Sequence, residues 1–113
     1  MKRPLPTDRT SLVHEFTLSG THATIILGFY SEGDLGEIFL QVAKEGSTLA
    51  GLLDGWAIAV STAIQYGASA EGLLQQFVHT KFEPAGWTER GQATSILDYV
   101  ARYAIEHQNL IQS

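Results

Sequence analysis

The thirteen residues HTKFEPAGWTERG (79–91) interleave basic, aromatic and acidic side chains. Phe82 and Trp87 can stack on a flat ring, and His79, Lys81 and Arg90 can meet phosphate. Both aromatics can equally fasten a loop to a core, but a long stretch without regular periodicity keeps the binding reading open. A second candidate is AKEGST (43–48), where Lys44, Ser47 and Thr48 stand at a strand-to-helix junction. Free N–H groups and the helix dipole favour an anion there. The segment lacks the Gly-Lys-Ser/Thr order of a nucleotide-hydrolysing loop, and a plain capped turn accounts for the same residues. Arg102 has Asp98 and Glu106 one helical turn to either side. That spacing makes an outward ion-pair ladder, contributing about half a kcal/mol per pair.

Other chemistry is excluded by what the chain lacks. His14, His22, His79 and His107 show no HxH, HxxxH or HExxH spacing, so no metal site is expected. The chain has no cysteine, which removes disulfides, thiolate zinc sites and thiol nucleophiles. No nucleophile elbow and no isolated carboxylate pair is present, and no enzyme is specified. Seven Lys and Arg against twelve Asp and Glu give a net charge of −5, which argues against DNA binding. No apolar run approaches the roughly 18 residues of a membrane span, and MKRPLPTDRT (1–10) lacks the apolar stretch of a signal peptide. A cytoplasmic protein with no membrane partner is the expectation.

The elements that must position these residues follow from periodicity. One domain is expected over residues 11–113, preceded by a polar arm at 1–10 that lies on the surface or on a neighbouring subunit. SLVHEFTLS, ATIILGFY and EIFLQV alternate with period two, placing Leu12, His14, Phe16 and Leu18, then Ala23, Ile25, Leu27 and Phe29, then Ile38, Leu40 and Val42 on common faces. Sequential hairpins join them. A helix follows from Thr48 to Tyr66, capped by Ser47 or Thr48 and stopped by Gly67. Its sides are apolar nearly all round, so burial on nearly all sides is predicted, and Asp54 within it needs a partner. Gly51, Gly55, Ala59 and Ala63 form a small-residue ridge suited to close packing. A short helix capped by Ser69 buries Leu73, Leu74, Phe77 and Val78. The last helix runs from about Ala93 to Gln108, with Asp98 pointing outward. The fold class is therefore α+β: an antiparallel sheet of three or more strands, followed by helices packed on one face. Charged residues amount to 17%, against roughly one-quarter in ordinary domains, so part of the surface is expected to be covered in a homo-oligomer, a dimer or a hexamer.

The runs GEIFLQVAKEGSTLAGLLDGWAIAVSTAIQYGAS (36–69), FVHTKFEPAGWT (77–88) and ATSILDYVARYAIEH (93–107) resemble the small C-terminal domain of adenosylcobalamin-dependent ribonucleotide reductases. The resemblance covers about residues 11–106. It does not extend to the radical-carrying barrel of that family or to its C-terminal redox cysteines. As a freestanding protein the chain also looks like the phage anti-Thoeris proteins. That likeness implies a sponge in a host bacterial cytoplasm that sequesters cyclic nucleotide immune signals, glycocyclic ADP-ribose isomers among them, without degrading them and without a cofactor. It implies Phe82 as base-stacking platform and Arg102 as phosphate contact, with Lys81 and Arg90 adding charge. Gln92 stands where related loops often carry Asn. An accessory or regulatory domain of a split cobalamin-dependent reductase is the alternative, and a degenerate structural domain a third reading.

Overall fold

The computed structural model describes residues 1–43 and 47–110. Three antiparallel strands, β1 (Ser11–Leu18), β2 (Thr21–Phe29) and β3 (Leu35–Val42), form one sheet in the order β1-β2-β3. Alternation decides the faces, because register sets Leu27 opposite both Leu12 and Ile38, and Ile25 opposite His14 and Leu40. Leu18, Ile25, Leu27 and Ile38 are accordingly buried. The other face carries Val13, Ile26 and Phe39 in one cross-strand row, and Val13 and Phe39 are exposed. Between β1 and β2 the turn residues Ser19 and Gly20 both have positive φ, the two-residue geometry whose twist matches that of the strands.

Helix α1 (Thr48–Gln65) begins at Ser47, whose side chain accepts from the Ala50 N–H. It ends where Ala68 N–H donates to the Ala63 carbonyl and Gly67 N–H to that of Ile64, with Gly67 at φ 111°. This is the expected left-handed stop. The helix lies along the outer edge of β3 and satisfies its backbone. Ser61 Oγ accepts from Ile38 N–H at 2.8 Å and donates to the Ile38 carbonyl at 3.1 Å, while the Gln65 amide donates to the Gly36 carbonyl at 3.0 Å. An edge that would otherwise invite pairing is thereby closed.

Burial of α1 on nearly all sides is the expectation from its sequence, and the chain itself covers one side. Leu53, Ala57, Val60, Ser61 and Ile64 face the protein, whereas Leu52 and Ile58 are more than half exposed and Asp54 reaches solvent. One sheet can cover only one side of one helix. Gly51 and Gly55 lie on the open side, where an added Cβ would meet nothing within 4 Å. Each makes the helix about 1 kcal/mol less stable than Ala would.

A short helix α2 (Ala70–Gln75) starts at Ser69 and buries Leu74. The stretch expected to be loop contains a small hairpin, β4 (Gly86–Thr88) with β5 (Gly91–Ala93). Thr88 closes it: its hydroxyl donates to the Gly91 carbonyl and accepts from Arg90 N–H. Helix α3 (Ile96–Glu106) therefore starts three residues later than expected, since Ala93 belongs to a strand. The order is a sheet followed by helices, an α+β fold. The N-terminal arm lies on the chain's own surface. Arg3 N–H donates to the Gln65 carbonyl, Arg3 pairs with Glu32 at 2.7 Å, and Arg9 pairs with Glu37 at 2.5 Å.

Ser61→Ala removes two hydrogen bonds from a buried edge and leaves the Ile38 N–H and carbonyl unsatisfied. The expected loss is about 2 kcal/mol. Urea unfolding with an unchanged slope checks it, and an unshifted midpoint contradicts the role given to Ser61.

Candidate functional site

The loop between α2 and α3 is tied to one buried carboxylate. Asp98 is 1% exposed. One of its oxygens accepts from His79 N–H at 2.8 Å, the other from Thr94 N–H and Arg102 Nη2, both at 3.0 Å. Ser95 caps α3 by accepting from Asp98 N–H at 2.9 Å, and it shares a hydrogen bond with Thr80. Thr94 Oγ1 donates to the Thr80 carbonyl at 2.7 Å, and Phe82 N–H donates to the Thr94 carbonyl at 3.2 Å. His79 takes a left-handed φ of 68°, a conformation unfavourable for its side chain and held by the bond to Asp98. Burial alone would raise the Asp98 pKa, but the two backbone N–H donors and the Arg102 guanidinium outweigh it and hold the carboxyl below its ordinary value. The outward placement expected for Asp98 is thus corrected. A side chain three residues after a serine N-cap is within reach of the loop that precedes the helix.

Lys81, Phe82 and Gln92 come together along an open groove of about 380 Å³, completed by Glu83, Ala85, Ala93 and Thr94. Phe82 is half-buried and packs against the core. Arg102 stands beside the groove but directs Nη2 into the protein, donating to the Gln92 carbonyl at 2.7 Å as well as to Asp98. Its Nε is buried with no hydrogen-bond partner among the described residues. Arg90 lies elsewhere, paired with Glu106 and placed over the Tyr103 ring at 5.3 Å. Ser47 serves as the α1 cap and Thr48 is its first residue, with no described contact to the groove. Lys44 lies outside the described residues. Among the described residues, Lys81 is the one cation of the groove without an ion pair.

Sequence reasoning missed a stack of rings between β1 and α3. Phe16 lies on Tyr99 at 3.9 Å between centroids, His14 on Tyr103 at 4.2 Å, and Tyr103 on His107 at 4.2 Å. His14 Nε2 and the Tyr99 hydroxyl share a hydrogen bond of 2.6 Å. Burial, then Arg90 and His107, depress the His14 pKa, so its neutral form is favoured. The signal was present, since His14 alternates with Leu12 and Phe16 while Tyr99 and Tyr103 are one turn apart. Trp87, 77% exposed, does not join Phe82. It lines a separate depression of about 530 Å³ with Glu15, Thr17, Glu89 and Tyr99.

Among the described residues, no group of three or more His, Asp or Glu is placed to hold a metal ion. No helix is long and apolar enough to cross a membrane. What remains is a small α+β module whose conspicuous polar feature is a carboxylate-tied loop ahead of its last helix. The chain belongs to the TSCPD domain family, which matches residues 1–108. The chain is 42% identical to a vitamin B12-dependent ribonucleotide reductase of Rhodopirellula baltica, over 88% of its own length and 10% of that protein. It is 39% identical to the reductases of the same name from Streptomyces avermitilis and Streptantibioticus cattleyicolor, over 90% of its length and 11% and 18% of theirs. It thus spans between about a tenth and a fifth of these relatives. No solved structure matches it.

These relatives overturn the expectation of a phage nucleotide sponge. Their names point to ribonucleotide reductase, and none concerns defence signals or viruses. A broad corrin macrocycle needs an enclosed slot, and the depressions formed by the described residues are open, among them one of about 600 Å³ between the sheet and the start of α1.

Asp98→Asn replaces a buried anion by a group that cannot satisfy the same three donors, and a stability loss of roughly 3 kcal/mol is expected at pH 7. Because the folded pKa lies below the ordinary 3.8, this contribution is complete above pH 3.8 and is lost as pH falls through the folded value. The variant should lack that acid-side decline, and parallel pH profiles for the two proteins would refute it. His14 gives a second profile. Its folded pKa lies below 6.5, so stability is complete above pH 6.5 and declines as pH falls beneath it. His14→Phe keeps a ring in the stack and flattens that slope, measured by thermal unfolding across pH.

Proposed function

We propose that this chain is a non-catalytic accessory or regulatory domain that serves a B12-dependent ribonucleotide reductase by binding rather than by chemistry. The carrying observation is that nearly the whole chain aligns with a small fraction of such reductases. The absence of thiols, and of any cluster of metal-binding groups among the described residues, supports a role without catalysis. The groove of Lys81, Phe82 and Gln92 is the contact site on this reading. It offers a half-buried ring, an unpaired cation and an amide on a lip held rigid through Asp98. Rigidity lowers the ordering cost of association.

The test uses a B12-dependent reductase lacking its own TSCPD domain, to which this chain is added. Native mass spectrometry is expected to detect a complex, and ribonucleotide turnover to change in proportion to occupancy. The combined Lys81→Ala and Phe82→Ala variant should weaken the complex at least tenfold, or about 1.4 kcal/mol. The absence of both complex and effect would contradict the proposal.

A further inference from the structure

We propose that the depression beside Trp87 is a second binding site, which takes an arginine side chain offered by a segment of a partner protein. This inference goes beyond the reductase reading and stands without it. The depression, of about 530 Å³, lies where the β4–β5 hairpin meets the sheet and α3. Among the residues lining it are Glu15 and Thr17 of β1, His22 of β2, Tyr99 of α3, and Trp87 and Glu89 of the hairpin. The groove of Lys81 stands across the same hairpin, since Trp87 pairs with Gln92, and it carries the opposite sign of charge. The two sites therefore take different residues.

Three observations select the occupant. The first is the ring. Trp56 is half-buried and packs edge-on against Phe77 at 5.3 Å, whereas Trp87 is 77% exposed, so its indole face is left over by the chain's own packing. Its root is nonetheless fixed, because β4 pairs with β5 and Thr88 closes the turn between them. Tryptophan is the best aromatic face for a cation and a frequent anchor of interfaces. The second is the sign of the charge. Among the described lining residues there are two carboxylates and neither a lysine nor an arginine. Glu89 is exposed, and the Glu15 side chain is 68% exposed and bonded to His22 Nε2 at 3.1 Å. Arg90, next to Glu89 in the chain, is engaged by Glu106 and the Tyr103 ring. An anion would be repelled here, and an apolar group would strip water from both carboxylates without replacing it. A metal ion has too few ligands, since no three His, Asp or Glu among the described residues are placed to hold one. The third is shape. The depression is open, which leaves a free small molecule mostly in water, whereas a side chain arrives with a partner that covers the opening. Arginine fits better than lysine, because a planar guanidinium lies flat on an indole while its edge N–H groups donate to a carboxylate.

Nuclear magnetic resonance of the full chain, with no reductase added, is the test. The probes are a capped Gly-Arg-Gly peptide, the same peptide with Lys in place of Arg, and methylguanidinium chloride. The arginine peptide is expected to shift the Trp87 indole N–H and the Glu15 and Glu89 amides saturably, at about millimolar concentration. The lysine peptide should bind about threefold more weakly, and methylguanidinium more weakly still. Trp87→Ala, and separately Glu15→Gln with Glu89→Gln, should each weaken the arginine peptide at least tenfold while the remaining amide signals keep the parent's positions. All three substituted positions are exposed, so the variants are expected to fold. No saturable shift at Trp87 would overturn the proposal, as would variants that bind like the parent. Equal binding of the two peptides would overturn the choice of arginine, and methylguanidinium binding as tightly as the arginine peptide would overturn the choice of a partner's side chain.

Discussion

Everything that gives this domain a defined surface near its last helix depends on one buried carboxylate. Asp98 is charged, 1% exposed, and held below its ordinary pKa by two backbone N–H groups and a guanidinium. Buried charge is costly unless paired and fully hydrogen-bonded, and here the partners are the loop itself. The donors come from His79 before the hairpin and Thr94 after it, so the same carboxylate fixes where the loop leaves the helical layer and where it returns. Arg102 extends the tie to the Gln92 carbonyl, and Thr80 with Ser95 closes it beneath. The groove edged by Lys81 and Phe82 exists because its two rims are fastened to one another.

The rest of the fold solves a different problem, that of a three-stranded sheet with two edges and two faces. One face takes the helices and the ring stack, with Phe16 and His14 lying on Tyr99 and Tyr103. The β3 edge is closed by Ser61 and Gln65 of α1. These solutions use one side of α1 and one side of the sheet. They leave the outer face of α1 and the row Val13, Ile26 and Phe39 toward solvent, an uncharged allotment that matches the low charge content of the chain.

How far the sequence disclosed this depends on the range of each interaction. Strands, hairpins and the α1 limits were legible because alternation, the Ser47 cap and the Gly67 stop are local signals. The hairpin at 86–93 was not, since three-residue strands show no period. Asp98 was misplaced for a related reason. A four-residue spacing to Arg102 reads as a surface ladder, and only the fold brings His79 and Thr94 N–H groups to the same carboxylate. Among the candidate ligand residues, Lys81 and Phe82 were legible together through their proximity in one loop, whereas Gln92, just beyond it, came only from the family resemblance. The diversion of Arg90 to Glu106 and Tyr103 is a tertiary event without a local trace. Burial of α1 on all sides was expected from composition, and composition counts apolar residues without saying which molecule covers them.

The central claim is that a rigid groove on a non-catalytic domain engages a B12-dependent reductase. Hydrogen exchange of this chain, alone and mixed with such a reductase lacking its own copy of the domain, reads that claim residue by residue. Slowed exchange confined to about residues 80–94 on mixing is the predicted result. Exchange unchanged across the loop at saturating reductase, or protection appearing only on the strands, would contradict it.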